Sequence, residues 1–346
     1  MTTEASPADT LELHARLYAP GDLRLSHEPR PRPGPDETLL QVTAVGICGS
    51  DLHWFEEGGI GDARLARPLV LGHEIAGVVA EGELRGRPVA VDPAIACEHC
   101  RFCHEGHPNL CSDLRFAGHD TLDGGLRRFM AWPSRLLYPV PEHFSAAETA
   151  MLEPLGVALH ALDLAHIRVA STAAVLGCGP IGLLILQLLR RAGLTFVAAT
   201  DIRPHRLQAA RERGADLVVA AEQGREAREI VAAAGGLGVD VAFEAAGDNE
   251  AVEAAVHCVR PGGRVILAGI PPGDRLTLSA GVARRKGLTI KLVRRMKHVY
   301  PRAIRLLEQR IVDLESLVTH RFPLAKCPEA FAVAYRREGL KVIVEP

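Results

Sequence analysis

The sequence predicts an α/β protein of two domains, a β-rich module and a doubly wound parallel-sheet domain. Three observations carry that expectation. The chain has 346 residues, about two domains at roughly 150 residues each. Up to about residue 155, short apolar runs alternate with Gly and Pro, as in an all-β module. From about 156 to 296, apolar strands alternate with helical stretches, which implies a parallel sheet covered on both faces.

In the first part, residues 38–45, 75–80 and 88–91 read as strands. Residues 29–35 carry four prolines, each biasing the residue before it towards extended backbone, so this stretch reads as a connector. In the second part the strands are 172–176, 196–200, 216–220, 239–245 and 264–268. The helices between them are 181–192, 204–213, 225–234 and 250–259. The last part, 297–346, reads as helix 301–309, strand 317–321, a helix from 328 and strand 341–344. The domains expected are 1–157 with 297–346, and 158–296.

Composition excludes several function classes. Forty basic residues stand against 42 acidic ones, a net charge of −2. No basic excess is available for a nucleic-acid backbone or an anionic membrane. Apolar runs such as 181–189 fall short of the ~20 residues that span a bilayer. Residues 1–10 are polar and acidic, with no apolar signal core. A cytoplasmic protein is expected.

Four of the eight cysteines fall in one short stretch, Cys97-x2-Cys100-x2-Cys103-x7-Cys111. Clusters of this kind are more often metal sites than disulfides in a reducing compartment. Four thiolates with no open position describe a tetrahedral structural zinc site in a lobe at about 96–112. His99, His104 and His107 could compete there, but a complete thiolate set makes them unnecessary.

At the end of the first strand of the alternating part stands Gly177-Cys178-Gly179-Pro180-Ile181-Gly182. The first Gly makes a tight turn, the second admits a pyrophosphate, and the third lets the helix pack on the strand. The helix N-terminus then faces the phosphates. The second strand ends at Asp201, whose carboxylate would accept the adenosine ribose hydroxyls and repel a 2′-phosphate, favouring NAD over NADP. Arg203 and Arg206 pull the other way, because a guanidinium can accept a phosphate. Asp201 could also serve simply as a helix cap.

A second metal set is dispersed: Cys48, His73, Glu74 and Glu153. One thiolate, one imidazole and carboxylate oxygens leave a zinc ion room for water or substrate. Each also has an ordinary reading, as a buried thiol, a core histidine or a helix N-terminal charge. Spacing alone does not decide between them.

The segments 46–51, 72–77, the four-cysteine loop and 175–182 occur in the order found in zinc-dependent medium-chain dehydrogenases, which this chain resembles over nearly its whole length. Cys48-Gly49-Ser50-Asp51-Leu52-His53, Leu152-Glu153-Pro154-Leu155 and 317–324 look like the sorbitol (polyol) dehydrogenase branch. The resemblance implies a GroES-like catalytic domain beside a Rossmann cofactor domain, NAD, and one catalytic and one structural zinc. It puts Cys48, His73 and a glutamate on the catalytic zinc, with Glu74 and Glu153 both candidates. In liver-type alcohol dehydrogenases the third ligand is a later cysteine; here Glu153-Pro154-Leu155 occupies that place.

The resemblance implies oxidation of a secondary alcohol, most simply a polyol, to a ketose. Zinc acidifies the hydroxyl and hydride passes to the nicotinamide. Ser50 would carry the proton outward, with His53 the next station; Ser50 could instead cap a helix beginning at Asp51. Trp54, Phe116 and Arg295 are the substrate-pocket residues it implies, and a homodimer or homotetramer is the assembly. Two departures concern the substrate: His119 stands in a segment where polyol dehydrogenases often have Ala-Thr-Pro-Pro, and Arg294-Arg295-Met296 replaces Phe-Arg-Tyr. Sugar phosphates, sugar acids, amino alcohols and aminocyclitols are the alternative substrates, and a non-catalytic cofactor-binding relative is the remaining reading, against which the intact ligand set argues. A third departure, a shortened 80–89 stretch, removes part of a surface hairpin.

Overall fold

A computed structural model describes residues 11–346. The signal-free reading of 1–10 lies outside the described residues. The chain divides into two units, one of residues up to Glu153 with Tyr300–Gln309 and Asp313–Pro346, the other Pro154–Val299 with Arg310–Val312. The first division falls near the start of the helix Leu152–Ala165.

In the first unit the strand Glu37–Gly46 runs through a seven-stranded sheet. It pairs antiparallel with Glu74–Val79, with Phe129–Pro133 and with the C-terminal strand Lys341–Glu345. Leu40, Val42 and Val45 face a core of Leu69, Ile75, Met130, Trp132 and Phe331. A hairpin, Leu11–Ala19 with Asp22–Pro29, turns at Gly21, where φ is +74°. The shortened stretch at 81–87 is an exposed turn closed by Gly86 N–H donating to Val79 O at 2.9 Å.

The second unit holds six parallel strands in the order Leu217–Ala220, Phe196–Asp201, Thr172–Leu176, Val239–Glu244, Val259–Leu267, Thr289–Leu292. The inner strands Thr172–Leu176 and Phe196–Asp201 are buried nearly throughout, as in a sheet covered on both faces. The chain reverses its direction of travel across the sheet between Thr172–Leu176 and Val239–Glu244. Ligands of such sheets bind outside the carboxyl ends of the strands at that point. The helix Pro180–Arg191 starts there, with Pro180 at its first position and Arg190 and Arg191 in its last turn. That charge order suits the helix dipole. Among the described residues, no helix is long and apolar enough to cross a membrane.

Candidate active site and metal centres

Strand register builds the dispersed site. Gly46 lies opposite Glu74 in the antiparallel pair. Cys48, just past the first strand, and His73, just before the second, therefore reach the same end of the sheet. One donor atom each from Cys48, His73 and Glu74 lies within 4.8 Å of the others. A thiolate, an imidazole and a carboxylate are the donor types zinc takes, and three of them leave a position open. The residues fit a catalytic zinc. Glu153, also expected as a ligand, falls outside this group. It is buried, and burial, with Glu74 adding to it against the pull of His73, raises its carboxyl to about 7.

Asp51 organises the set. Its carboxylate accepts Cys48 N–H at 2.9 Å and Gly72 N–H at 3.1 Å, and stands 3.5 Å from His73 Nδ1. Burial works against charge on His73, but Asp51 outweighs it and holds the ring proton well above the ordinary histidine range. A carboxylate on the far ring nitrogen is the usual means of aiming a metal-binding histidine. Lys341 is the second organiser. Fully buried, it donates to Ile47 O at 3.0 Å and to Glu74. Neither role was legible in the sequence; a lone lysine opening the apolar run 341–344 was the available signal.

Ser50 Oγ lies 3.4 Å from His73 Nε2, beside the ligand set. It occupies the second position of the helix Gly49–Glu57, and Cys48 takes the cap position, so the cap reading of Ser50 is corrected. His53 departs from the expected relay. Its Nδ1 is hydrogen-bonded to Glu57 at 2.9 Å, one turn along the same helix, and among the described residues no hydrogen bond joins it to Ser50. Phe116 packs on the His73 ring, with centroids 5.1 Å apart, and His119 meets Trp54 edge-on at 5.0 Å. Trp54 is fully buried, and its indole N–H has no hydrogen-bond partner among the described residues. Arg295 belongs to the second unit, with φ at +54°.

Cys97, Cys100, Cys103 and Cys111 converge with their sulfurs within 4.8 Å. Cys100 and Cys103 sulfurs stand 3.5 Å apart, too far for a disulfide. Backbone N–H groups of Cys103 and Ser112 draw the Cys100 thiol down, towards the thiolate form that binds metal. Four sulfurs without an open position fit a structural zinc. Of the competing histidines, His99 alone joins a possible donor group, with Cys97 and Asp113, and its Nδ1 is bonded to Cys97 O at 2.7 Å.

The glycine loop separates its three roles. Gly177 has φ +97°, and a Cβ there would meet Ala246 N at 2.5 Å; one on Gly182 would meet Gly177 O at 1.9 Å. Only Arg206 Nη1, at 3.7 Å, stands near a Cβ built on Gly179, so the second glycine leaves space for a ligand. Asp201 Oδ2 accepts Cys178 N–H at 2.8 Å and Oδ1 accepts Arg203 N–H at 2.9 Å. The Arg206 guanidinium is 3.8 Å from the same carboxylate. Arg203 itself takes the cap position of the helix Pro204–Glu212. Pro180 and Ile181 open the helix that faces the crevice.

A sheet with a dinucleotide crevice, an open three-donor metal set and a four-thiol lobe define a metal-dependent dehydrogenase. Residues 34–142 match the alcohol dehydrogenase GroES-like domain and residues 180–309 the zinc-binding dehydrogenase family. The chain is 36% identical over 349 residues to a sorbitol dehydrogenase of Macaca fascicularis, covering 99% of this chain and 98% of that one. It is 33% identical over 340 residues to the sorbitol dehydrogenase of Bacillus subtilis, covering 96% of each. A solved Escherichia coli oxidoreductase/dehydrogenase of unknown specificity superposes with a TM-score of 0.91 at 31% identity, over 97% of this chain and 99% of that one. The chain belongs to the zinc-dependent medium-chain dehydrogenases and is sorbitol dehydrogenase-like. It is an alcohol or polyol dehydrogenase whose cofactors are zinc and a nicotinamide dinucleotide.

Proposed function

We propose that this protein oxidises a polyol of the sorbitol or xylitol kind to a ketose, with NAD as hydride acceptor. The convergence of Cys48, His73 and Glu74 carries the reading. A thiolate, an imidazole and a carboxylate with a position left open suit a hydroxyl substrate, and two relatives matched from end to end are sorbitol dehydrogenases.

When bound, zinc supplies the Lewis acid that makes a substrate hydroxyl acidic near neutral pH, and the nicotinamide accepts the hydride. The chain's own residues do the rest. Cys48, His73 and Glu74 hold the metal, and Asp51 fixes the His73 ring. Ser50, beside His73, takes the hydroxyl proton and passes it outward. Glu153, buried and easily protonated, serves the site from outside the ligand group. Phe116 packs beside the His73 ring, tilted against it. Asp201 takes the adenosine ribose.

A panel of alditols, aldonic acids and sugar phosphates, followed by NADH absorbance, tests this reading. Oxidation of uncharged alditols at least roughly tenfold better in kcat/KM than of the acids and phosphates supports it; a tenfold step is about 1.4 kcal/mol of transition-state stabilisation. Preference for an anionic substrate would leave the chemistry in place and replace the substrate.

A further inference from the structure

We infer that Glu244 is a positioning residue for the cofactor: it holds the turn that forms the second wall of the dinucleotide crevice in place before the cofactor arrives. The inference concerns the cofactor whichever alcohol is oxidised, and so goes beyond the proposed reaction.

Glu244 closes the strand Val239–Glu244, on the far side of the reversal point from the glycine loop. Its side chain is fully buried. Oε1 accepts Ala246 N–H at 2.8 Å and Gly247 N–H at 2.6 Å, and Oε2 accepts Gly269 N–H at 3.3 Å. The carboxylate thus ties the turn after its own strand to the turn after the next one, Val259–Leu267. Backbone completes the knot: Ala245 N–H donates to Leu176 O at 2.8 Å, and Ala268 N–H to Glu244 O at 2.8 Å.

Three glycines show how closely the parts fit. A Cβ on Gly177, the first turn of the glycine loop, would meet Ala246 N at 2.5 Å. One on Gly269 would meet Gly247 N at 2.3 Å and Glu244 Oε2 at 2.7 Å, and one on Gly247 would meet Ile270 O at 2.7 Å. The turn that Glu244 holds therefore abuts the glycine loop where the reversal opens the crevice. A dinucleotide lies across such a crevice with one mononucleotide on each half of the sheet. Asp201 serves the adenosine half; the turns at 245–247 and 268–270 border the nicotinamide half. Without the Glu244 side chain, the Ala246 and Gly247 N–H groups lose their acceptor while Gly269 N–H keeps only the Glu244 backbone carbonyl at 3.2 Å, and the binding energy of the nicotinamide half goes into ordering the turn.

The test compares NADH with AMP, which occupies only the adenosine half, on the full-length zinc enzyme. In Glu244→Ala, the NADH dissociation constant by fluorescence titration should rise roughly tenfold, equivalent to about 1.4 kcal/mol. That of AMP should stay within about twofold. Glu244→Gln keeps an oxygen for the two shorter bonds and should recover most of the NADH affinity. Unchanged NADH affinity in Glu244→Ala overturns the inference, and so does an equal loss for NADH and AMP, which marks a general softening of the unit. Failure of the unmodified enzyme to bind AMP would strike at the dinucleotide reading instead. Should Glu244→Ala not fold, hydrogen exchange on the cofactor-free unmodified enzyme decides. Protected amides at Ala246, Gly247 and Gly269 support a preset turn, and exchange at open-loop rates overturns it.

Discussion

Lys341 Nζ donates to Glu74 Oε1 at 2.5 Å, joining the last strand of the chain to the candidate catalytic metal set. The two side chains are 2% and 1% exposed. A Cβ on Gly46, between them, would meet Glu74 Oε2 at 1.9 Å and Lys341 Cε at 2.9 Å. Only glycine leaves room for this pair to cross the strand.

Lys341→Met should therefore expose how far the metal can replace the lysine as the partner of Glu74. Removing one member of a buried ion pair typically costs about 3–5 kcal/mol, because the remaining charge is stranded. The loss should be largest in metal-free protein and smaller with zinc bound, since the cation then answers the carboxylate. Urea unfolding with and without chelator measures both. Equal losses in the two forms would show that Glu74 does not serve the metal.

Asp51→Asn should weaken the catalytic zinc by roughly 10–100-fold while leaving the four-cysteine site loaded. The amide oxygen can still accept one backbone N–H, so the loop keeps part of its shape. The negative charge facing His73 Nδ1 is lost. Competition with a graded chelator, followed by metal analysis, should show one zinc leaving early and one late. Two zincs leaving together would remove Asp51 from the metal's support.

Much of this architecture was legible because its residues follow the simplest rules. The buried strands Thr172–Leu176 and Phe196–Asp201 are continuous apolar runs, and the glycine loop stands between strand and helix as its chemistry requires. The hairpin at Leu11–Ala19 was not legible. Glu12, His14 and Arg16 look like its solvent face, yet they are buried and paired: Arg16 with Glu28 and Asp123, Glu12 with Arg30. Alternation of polar and apolar residues carries no sign of which face lies inside when the polar face has its own partners. Lys341 and Glu244 were missed for a related reason. Each is a charged residue at the end of an apolar strand, and its meaning lies in long-range pairing that no local pattern encodes.

Cys100→Ser should lower the melting temperature and reduce zinc from about two ions per chain to about one. Metal binding in a four-thiol lobe is part of the folding free energy, so opening the shell forfeits it. The dispersed donors Cys48, His73 and Glu74 are untouched, so the remaining zinc should be the catalytic one. An unchanged melting temperature together with unchanged zinc content would refute a structural role for the lobe.

The cofactor preference turns on Asp201, whose two oxygens already accept backbone N–H groups from Cys178 and Arg203. Each carboxylate oxygen has a further lone pair, so both ribose hydroxyls can still be received. A 2′-phosphate would meet that negative charge instead. Arg206, 3.8 Å away, partly offsets it, and Ile202 is 74% exposed beside it. Asp201→Asn combined with Ile202→Arg keeps an acceptor for one backbone N–H, removes the charge and adds a phosphate-pairing cation. The ratio of kcat/KM for NAD over NADP should fall by at least roughly tenfold, about 1.4 kcal/mol in differential transition-state stabilisation. Arg206 should help that shift, since its guanidinium is freed from the competing carboxylate. If the ratio stays where it was while the variant still folds and binds AMP, Asp201 does not face the ribose.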